Sequence, residues 1–399
     1  MGVRLFARLA AGALATVTVT VTVGVVLPGA SDASAGLVRP SVAGPTCSTA
    51  TARAPKLPGI TTTFVSAPEG SPFGVAVSKD NNYAFVAEAY GFLRTYSLAS
   101  ATPTLVSSET VKGPRLVGLA LTPDGRYLVG AIGGGAEVFD VARLERSPPP
   151  TTDGLVGTLS SGGTGATETV VSPDGHYIFV TLEDSNELAV FNLKRALDRG
   201  FHRSDLVGTV ALDSAPEGIA ISPNGRLLYV TSEGSSEMTT NGTLTTINVR
   251  KAEHAAPRAI VSVVTAGCNP SRVVATASTV YVTARESDAV LAFSAKALIT
   301  HPTGALRQDI SVGEAPVGLA LVNHDGGLVI ADSNGSNGTR SVSGLAVVAL
   351  GKGGRMGLTG YIRSGKRPGD MATSPDGRVL LVTNYASSQL EAVTEAGLP

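Results

Sequence analysis

The chain of 399 residues contains no tryptophan, only two cysteines and five histidines, and 16 % charged residues. A single pair of cysteines cannot make the framework of a small disulfide-stapled domain. The formal net charge is −1 and no basic segment is interleaved with aromatic residues, so we do not expect the protein to bind nucleic acid. Neither Gly-x-Ser-x-Gly nor His-Glu-x-x-His occurs, so the sequence offers no recognisable motif for nucleophilic or zinc-based catalysis. Long helical patterns are also missing, which together with 43 % hydrophobic residues and 47 glycines indicates a β-rich globular chain.

The sequence contains seven similar copies of one segment. The copies start at Ser71, Arg115, Gly165, Pro216, Asn269, Ala315 and Arg367. In the fourth copy, PEGIAISPNGRLLYVTSEGS, a run of small and branched residues (218–221) precedes a Pro-Asn-Gly turn, and a β-branched and aromatic run (227–231) follows it. Equivalent positions are Gly74, Gly118, Glu168, Gly218, Arg272, Gly318 and Asp370, which are 44 to 54 residues apart. A period of this length with several strands in each unit is typical of β-propeller blades.

Two further strand-like runs complete each unit, so that four antiparallel strands make one blade. The seventh unit ends after its third strand, near Val393, whereas an unassigned strand-like segment, Ile60 to Val65, precedes the first unit. The sequence therefore predicts an all-β fold in residues 60–399. We expect a seven-bladed β-propeller of four-stranded antiparallel blades, in which an N-terminal strand closes the last blade and hides both free edges.

The N-terminal segment, residues 1–35, has the pattern of a secretory signal peptide. Arg4 and Arg8 precede an uncharged stretch, 9–27, and Ala33-Ser34-Ala35 is a small-residue cleavage pattern. We expect a secreted or extracytoplasmic protein with no stable membrane insertion after signal cleavage. An uncleaved anchor is the alternative, because the apolar stretch approaches the length that spans a bilayer. Residues 36–59 are expected to be a flexible leader.

The two cysteines are Cys47, in this leader, and Cys268, just before the fifth inner strand. In an oxidising compartment they could form a disulfide that ties the leader across the ring. The alternative is two unpaired thiols.

The repeated motifs resemble a known family. The segments SPDGHYIFVT (172–181), SPNGRLLYVT (222–231) and SPDGRVLLVTN (374–384) resemble those of YVTN-repeat β-propellers, and the resemblance covers Ile60 to Thr394. The lack of tryptophan separates the chain from WD-repeat and Asp-box propellers. YVTARESDAVLAF (281–293) is similar to a segment of the seven-bladed lactonase family, which includes bacterial 6-phosphogluconolactonases, with matches at Tyr281, Val282, Arg285, Asp288, Val290 and Phe293. The resemblance implies lactone hydrolysis, but the family's frequent Pro-Arg-His at the head of inner strands is replaced here, for example by Pro216-Glu217-Gly218.

Charged and polar residues follow most of the YVT-like strands. The candidate ligand-binding residues are Glu88, Glu183, Glu233, Arg285, Asp332, Asn384 and Tyr385, whereas the second blade offers only Ala131 and Ile132. Propeller topology places these strand ends on one face, and we expect the side chains to surround the mouth of the central channel. The acids could bind a divalent cation such as calcium or polarise water, with Arg285 holding an anionic group. Alternatively, the acids are solvated or paired with Arg285.

These observations leave two functions open, with a cell-surface structural module that lacks a pocket as a third possibility. The first is a secreted, monomeric propeller that binds an extracellular protein or a small ligand at the channel mouth. The second is an extracytoplasmic lactonase-type hydrolase that uses the acidic ring and Arg285.

A further oxygen-rich segment, Asp332 to Gly338, lacks a closing glutamate, so a plain loop is favoured there over a calcium site.

Overall fold

Seven four-stranded antiparallel sheets form a ring in the computed structural model, which confirms the predicted seven-bladed β-propeller. The structure describes residues 47, 52, 54–67, 70–111, 113, 115–146, 154–234, 241–333, 344–394 and 397–399. The predicted signal peptide and most of the leader lie outside these residues. No helix within the described ranges has the length and apolar character needed to cross a membrane.

Strand 1 is the innermost strand of each blade and strand 4 the outermost. Blade 1 contains β2 (Pro72–Val77), β3 (Tyr83–Glu88), β4 (Phe92–Ser97) and β5 (Thr104–Thr110), and blade 2 contains β6 (Leu116–Leu121), β7 (Tyr127–Ile132), β8 (Gly135–Asp140) and β9 (Leu155–Ser160). Blade 3 contains β10 (Ala166–Val171), β11 (Tyr177–Leu182), β12 (Glu187–Asn192) and β13 (Leu206–Ala211). Blade 4 contains β14 (Pro216–Ile221), β15 (Leu227–Ser232), β16 (Asn241–Asn248) and β17 (Ile260–Cys268). Blade 5 contains β18 (Pro270–Ala275), β19 (Thr279–Ala284), β20 (Ala289–Ser294) and β21 (Leu306–Ser311), and blade 6 contains β22 (Pro316–Val322), β23 (Gly327–Asp332), β24 (Gly344–Gly351) and β25 (Arg355–Arg363). Blade 7 combines β26 (Pro368–Thr373), β27 (Val379–Asn384) and β28 (Gln389–Thr394) with the N-terminal strand β1 (Thr62–Ser66).

The closing strand is the one that the sequence predicted, shifted by one or two residues at its ends. Strand β1 pairs antiparallel with β28, with Thr62 opposite Val393 and Ser66 opposite Gln389. The first ordered strand of the propeller therefore supplies the fourth strand of its last blade, and the open ring is closed by backbone hydrogen bonds.

Short helices connect strands 3 and 4 on the face opposite the channel mouth. They are α1 (Val141–Leu144), α2 (Leu193–Arg199), α3 (Val249–Ala255) and α4 (Ala295–Thr300). Single 3₁₀ turns occur at Arg203–Asp205, Ala256–Arg258, Arg285–Ser287, Pro302–Gly304, Lys352–Gly354 and Tyr385–Ser387.

Apolar side chains fill the space between neighbouring blades rather than one common core. Seven buried clusters are present among the described residues, and each joins two adjacent sheets. The cluster between blades 4 and 5, for example, contains Tyr229 from β15 and Phe293 from β20, which are both almost completely buried. Each blade therefore needs its neighbours, because one twisted sheet cannot bury both of its faces alone.

The described part of the leader contacts the propeller. Cys47 is joined to Cys268 by a disulfide with a Cα–Cα distance of 5.4 Å. The Ala52 N–H donates to the Val312 carbonyl at 2.8 Å, and the Tyr361 hydroxyl donates to the Ala52 carbonyl at 2.9 Å. The leader is thus tied at the end of blade 4 and again at blade 6 before it enters blade 7 as β1.

Candidate functional site

Every inner strand contains a β-bulge at its second and third residues. In blade 4 the register shifts between Pro216 and Ile219, so that Glu217 and Gly218 have no regular partners on β15. The same shift occurs in the inner strands of all seven blades. Because a bulge breaks the alternation of side chains between the two faces of a sheet, both residues can contribute to the lining of the central channel.

The threonine of the YVT motif explains how these bulges are held. The Gly218 N–H donates to Thr231 Oγ1 at 2.9 Å, and the Thr231 hydroxyl donates to the Ser271 carbonyl of the next blade at 2.6 Å. Thr181, Thr283 and Thr383 make equivalent pairs of contacts. A buried threonine therefore accepts a hydrogen bond from the backbone N–H of the bulge and donates one to the next blade. This is a structural reason for the repeated motif.

Four charged residues from these bulges meet in the channel, and we call them the channel cluster: Glu168, Glu217, Arg272 and Asp370. The Arg272 guanidinium lies 2.8 Å from Glu168 Oε1, 2.7 Å from Glu217 Oε1 and 4.0 Å from Asp370 Oδ1. Its side chain is 16 % exposed. Ser271 Oγ donates to the other oxygen of Glu217 at 2.7 Å. One arginine thus connects bulges of four different blades.

The cluster contains three carboxyl groups and one guanidinium. The pKa values of the carboxyl groups are therefore shifted in different directions. Burial raises the pKa of Glu168 to about 8, and Asp370 and Glu217 add to the effect while Arg272 opposes it. Burial also acts against ionisation of Glu217, but Arg272 and Arg285 outweigh it and hold the pKa of Glu217 below its usual value. At neutral pH we therefore expect Glu217 to be ionised and Glu168 to carry a proton.

The cluster continues toward the mouth through Glu233 and Arg285, which follow β15 and β19. The Arg285 guanidinium lies 2.8 Å from Glu233 Oε1, and the two side chains are 31 % and 19 % exposed. Burial, together with the charge of Glu217, raises the pKa of Glu233 to about 8, and the Glu233 and Glu217 carboxyl groups share a hydrogen bond. Partial burial and the charge of Glu217 also raise the pKa of Glu183, the residue that follows β11.

The mouth has a second, aromatic side, formed by blades 7, 1 and 2. Phe73 and Tyr385 pack with ring centroids 4.8 Å apart. The Arg115 guanidinium lies over the Phe73 ring at 4.1 Å, and that of Arg367 lies over the Tyr385 ring at 5.4 Å. Aromatic faces hold guanidinium groups through their ring quadrupoles, so both arginines are positioned without carboxylate partners in these contacts.

The candidates chosen from sequence belong to two different positions of the second strand. Glu88, Asp332 and Asn384 are the last residues of β3, β23 and β27, whereas Glu183, Glu233, Arg285 and Tyr385 come one residue later. A shift of one residue in a strand turns the side chain to the opposite side. The structure brings Glu183, Glu233 and Arg285 together beside the channel, with Tyr385 on the aromatic side, but it does not bring the other three residues to the mouth.

Glu88, Asp332 and Asn384 are instead buried inside the blades. The Glu88 carboxylate accepts a hydrogen bond from Arg94 Nε at 2.8 Å, and Asn384 Nδ2 donates to Glu391 at 2.8 Å. Asp332 is 3 % exposed at the junction of blades 5 and 6. The expected ring of four acids around one opening is therefore replaced by two mouth glutamates and the channel cluster below them.

The channel cluster was not predicted, although a signal for it was present. Glu168, Arg272 and Asp370 occupy the same repeat position as Gly74, Gly118, Gly218 and Gly318. A Cβ on Gly74 would collide with the Val117 carbonyl, and one on Gly318 with the Gly369 carbonyl, because neighbouring inner strands approach closely there. A charged residue at a position that otherwise requires glycine is the pattern that could have revealed the cluster.

Comparison with known proteins agrees with this architecture. The family described as "Lactonase, 7-bladed beta-propeller" matches residues 67–317. The chain belongs to this family. None of the curated proteins matches the sequence. A solved structure of hydrazine synthase from Kuenenia stuttgartiensis is similar with a TM-score of 0.65 and 17 % sequence identity, over 86 % of this chain and 99 % of that chain. At this identity the likeness shows the fold alone.

In this lactonase-family propeller a groove of about 510 Å³ lies on the face opposite the mouth. It lies between the strand turns of blades 2 and 3 and helix α2, and its charges are largely paired: His176 with Asp174 at 3.1 Å and Lys194 with Asp198 at 2.6 Å. No cluster of three or more metal-binding side chains occurs within the described part of the chain. The mouth differs from this groove in that its carboxyl groups are partly buried and their pKa values are shifted.

Proposed function

We propose that the protein binds a small polar ligand at the mouth of its channel, through Glu217, Glu233 and Arg285. The observation that carries this proposal is the hydrogen-bonded Glu217–Glu233 pair beside an arginine whose side chain is 31 % exposed. The pair offers an acceptor and a donor side by side, and the guanidinium offers several donors in a fixed plane. Such an arrangement fits a ligand that carries hydroxyl groups together with a carbonyl or carboxylate.

The aromatic side of the mouth supports the same proposal. Phe73 and Tyr385 provide an apolar surface opposite the carboxyl groups, and Arg115 stands over the Phe73 ring. A few convergent polar groups next to an apolar wall are typical of small-ligand sites. An extracellular protein that inserts a polar loop into the same mouth would use these groups too.

Binding is tested with a panel of sugar acids, their lactones and related neutral sugars, by isothermal titration calorimetry on the full chain. We expect a ligand that binds the wild type to bind at least about tenfold more weakly to Arg285→Ala and Glu217→Gln, because each loses a charged hydrogen bond. Lys194→Ala, on the opposite face, serves as the control. Binding that survives both mouth substitutions, or that is lost in the control, would refute the assignment.

We also propose lactone hydrolysis as a second function, because Glu217 and Glu233 have pKa values shifted in opposite directions. Two carboxyl groups of this kind can act as base and acid in one site. The Glu217 carboxylate would take a proton from water as the water oxygen bonds to the lactone carbonyl carbon. The Glu233 carboxylic acid would protonate the ring oxygen as the acyl C–O bond breaks, and Arg285 would stabilise the developing oxyanion.

Family membership supports this second function, but the bulge of blade 4 holds Glu217-Gly218 where the lactonase family often has Arg-His. Titration of acid release from lactones at constant pH tests it. We expect a rate that falls above about pH 8, where Glu233 loses its proton, and a loss of at least about 100-fold in Glu233→Gln. Ligand binding without acid release would leave the binding function and remove hydrolysis.

We further propose that the protein acts outside the cytoplasm after removal of residues 1–35. The basic start, the apolar stretch and the small-residue site in the sequence support this proposal, and so does the use of both cysteines in a disulfide. Cell fractionation and N-terminal sequencing of the mature protein test it. A chain that retains Met1 in the soluble cytoplasmic fraction would refute it.

A further inference from the structure

Two aspartates are buried together at the junction of blades 5 and 6. Asp332 ends β23, and Asp288 lies in the connection between β19 and β20 with a left-handed φ of 48°. Each residue is 3 % exposed. Burial of an ionised carboxylate is costly unless hydrogen-bond donors or a cation compensate it.

Both side chains flank the same turn, which links β21 to β22. Asp288 Oδ1 accepts a hydrogen bond from the Ala315 N–H at 2.9 Å, and the Asp288 carbonyl accepts one from the Val312 N–H at 2.8 Å. The Asp332 carboxylate lies against Gly313, where an added Cβ would collide with it. The absence of a side chain at Gly313 therefore makes the room that the Asp332 carboxylate occupies.

Three carboxylate oxygens at this junction have no hydrogen-bond partner. They are Asp288 Oδ2, Asp332 Oδ1 and Asp332 Oδ2. The Gly313 N–H acts to lower the pKa of Asp332, but it does not reach hydrogen-bond geometry with either oxygen. Both oxygens of a buried carboxyl group without a partner are rare in native structures, and such groups commonly coordinate a water or an ion.

The surroundings are negative as well. Burial and the Asp288 charge raise the pKa of Asp332, and burial, Glu314 and Glu286 raise the pKa of Asp288. Among the described residues, the charged side chains that act on these two groups are all acidic. A cation would relieve this repulsion and favour the ionised form of both groups.

We propose that Asp288 and Asp332 form a binding site for Ca²⁺. The two carboxylates balance a divalent charge, and carboxylate oxygens are the ligands that Ca²⁺ prefers. Only two acidic side chains take part, so backbone carbonyl oxygens and water complete the coordination. This site is separate from the channel cluster, and the proposal does not depend on the function of the mouth.

Calcium at this position would join elements that are distant in sequence. Asp288 belongs to blade 5 and Asp332 to blade 6, and the Val312 carbonyl of the intervening turn accepts the hydrogen bond from Ala52 of the leader. The ion would therefore stabilise the contact between two blades and the attachment of the leader.

The first test is thermal unfolding of the full chain after treatment with EDTA, with and without added CaCl₂. We expect the melting temperature of the wild type to rise by about 5 °C at a Ca²⁺ concentration 100 times the dissociation constant. Asp332→Asn should lose this rise and should unfold at a higher temperature than the wild type in EDTA, since it removes one of two repelling charges. Glu137→Gln, which neutralises a buried acid elsewhere, should keep the full response to Ca²⁺.

The second test uses terbium luminescence and does not require a variant of the two aspartates. The chain has no tryptophan. Burial raises the pKa of the Tyr361 hydroxyl, and the charge of the nearby Asp332 raises it further. Tb³⁺ bound at the site should emit on tyrosine excitation, Ca²⁺ should displace it, and Tyr361→Phe should lower the emission. An unchanged melting temperature in Ca²⁺, an equal rise in Asp332→Asn, a larger rise with Mg²⁺ than with Ca²⁺, or Tb³⁺ emission unaffected by Tyr361→Phe would each overturn the proposal.

Discussion

Arg272→Met should destabilise the propeller by about 3–5 kcal/mol at pH 7, because it leaves the carboxyl groups of the channel cluster without their common cation. At pH 7 the contact of Arg272 with the ionised Glu217, at 2.7 Å, corresponds to about 6 kcal/mol of Coulomb energy at an effective dielectric constant of about 20, and the protonated Glu168, at 2.8 Å, adds a hydrogen bond. Desolvation of Arg272 and of Glu217 offsets part of this energy, which gives the smaller net value. Even so, it is a large part of the about 5–15 kcal/mol that stabilises an ordinary domain.

The assay is urea unfolding followed by circular dichroism, at about pH 7 and again at about pH 4.5, for the wild type and the variant. In the variant the folded-state pKa values of the channel acids lie above their unfolded values, so the destabilisation grows as the pH rises through those values and shrinks in acid. Arg378→Met removes an exposed pair on the opposite face and should change little. A loss below about 1 kcal/mol at pH 7, or an equal loss at both pH values, would refute this account of the cluster.

Three further predictions follow from the described contacts. The pKa values of Glu168 and Glu233 are raised to about 8 in the folded state. The contribution of these two groups to stability is therefore complete below their unfolded pKa and is lost as the pH rises toward 8. Calorimetry at about pH 5, 6.5 and 8 should show a melting temperature that decreases with pH. Thr231→Val leaves the buried Gly218 N–H and Ser271 carbonyl without their partner and should cost about 1–3 kcal/mol in urea unfolding, whereas Thr300→Val, at an exposed site, should cost almost nothing. Cys47→Ala should leave the propeller folded but expose the leader, so limited proteolysis should cut between residues 47 and 60 faster than in the wild type; equal rates would show that the disulfide does not hold the leader.

The fold could be predicted because the same pattern of turn residues and strand residues occurs seven times in the sequence. Turn residues such as Pro223-Asn224-Gly225 and β-branched strands such as Leu227 to Ser232 each favour one conformation, and their recurrence gave the blade count. The closing strand could be inferred from counting alone, since the last unit lacked its fourth strand. Its pairing with β28 confirms that inference.

The site could be predicted only in part, because it depends on one-residue differences. The sequence predicts Glu233 and Arg285 at the mouth, where the structure has them 2.8 Å apart. It predicts Glu88 and Asp332 there too, but these residues end their strands one residue earlier and are buried. A repeat alignment gives the approximate end of a strand, whereas the direction of a side chain changes with every residue. The bulges added a second difficulty, since simple alternation would place Glu217 and Gly218 on opposite faces.

The arrangement of glycines and charges in the inner strands has a steric basis that links the fold to the site. A Cβ on Gly118 would collide with Glu168 of the next blade, and a Cβ on Gly218 would collide with the Ser271 carbonyl next to Arg272. Each of these charged side chains therefore has room because the preceding blade contributes glycine at the equivalent position. At this repeat position the ring accepts large side chains only in blades 3, 5 and 7, and Glu217 of blade 4 enters the channel from the neighbouring position of its bulge. One arginine and its three acids therefore fill the channel without forcing the blades apart.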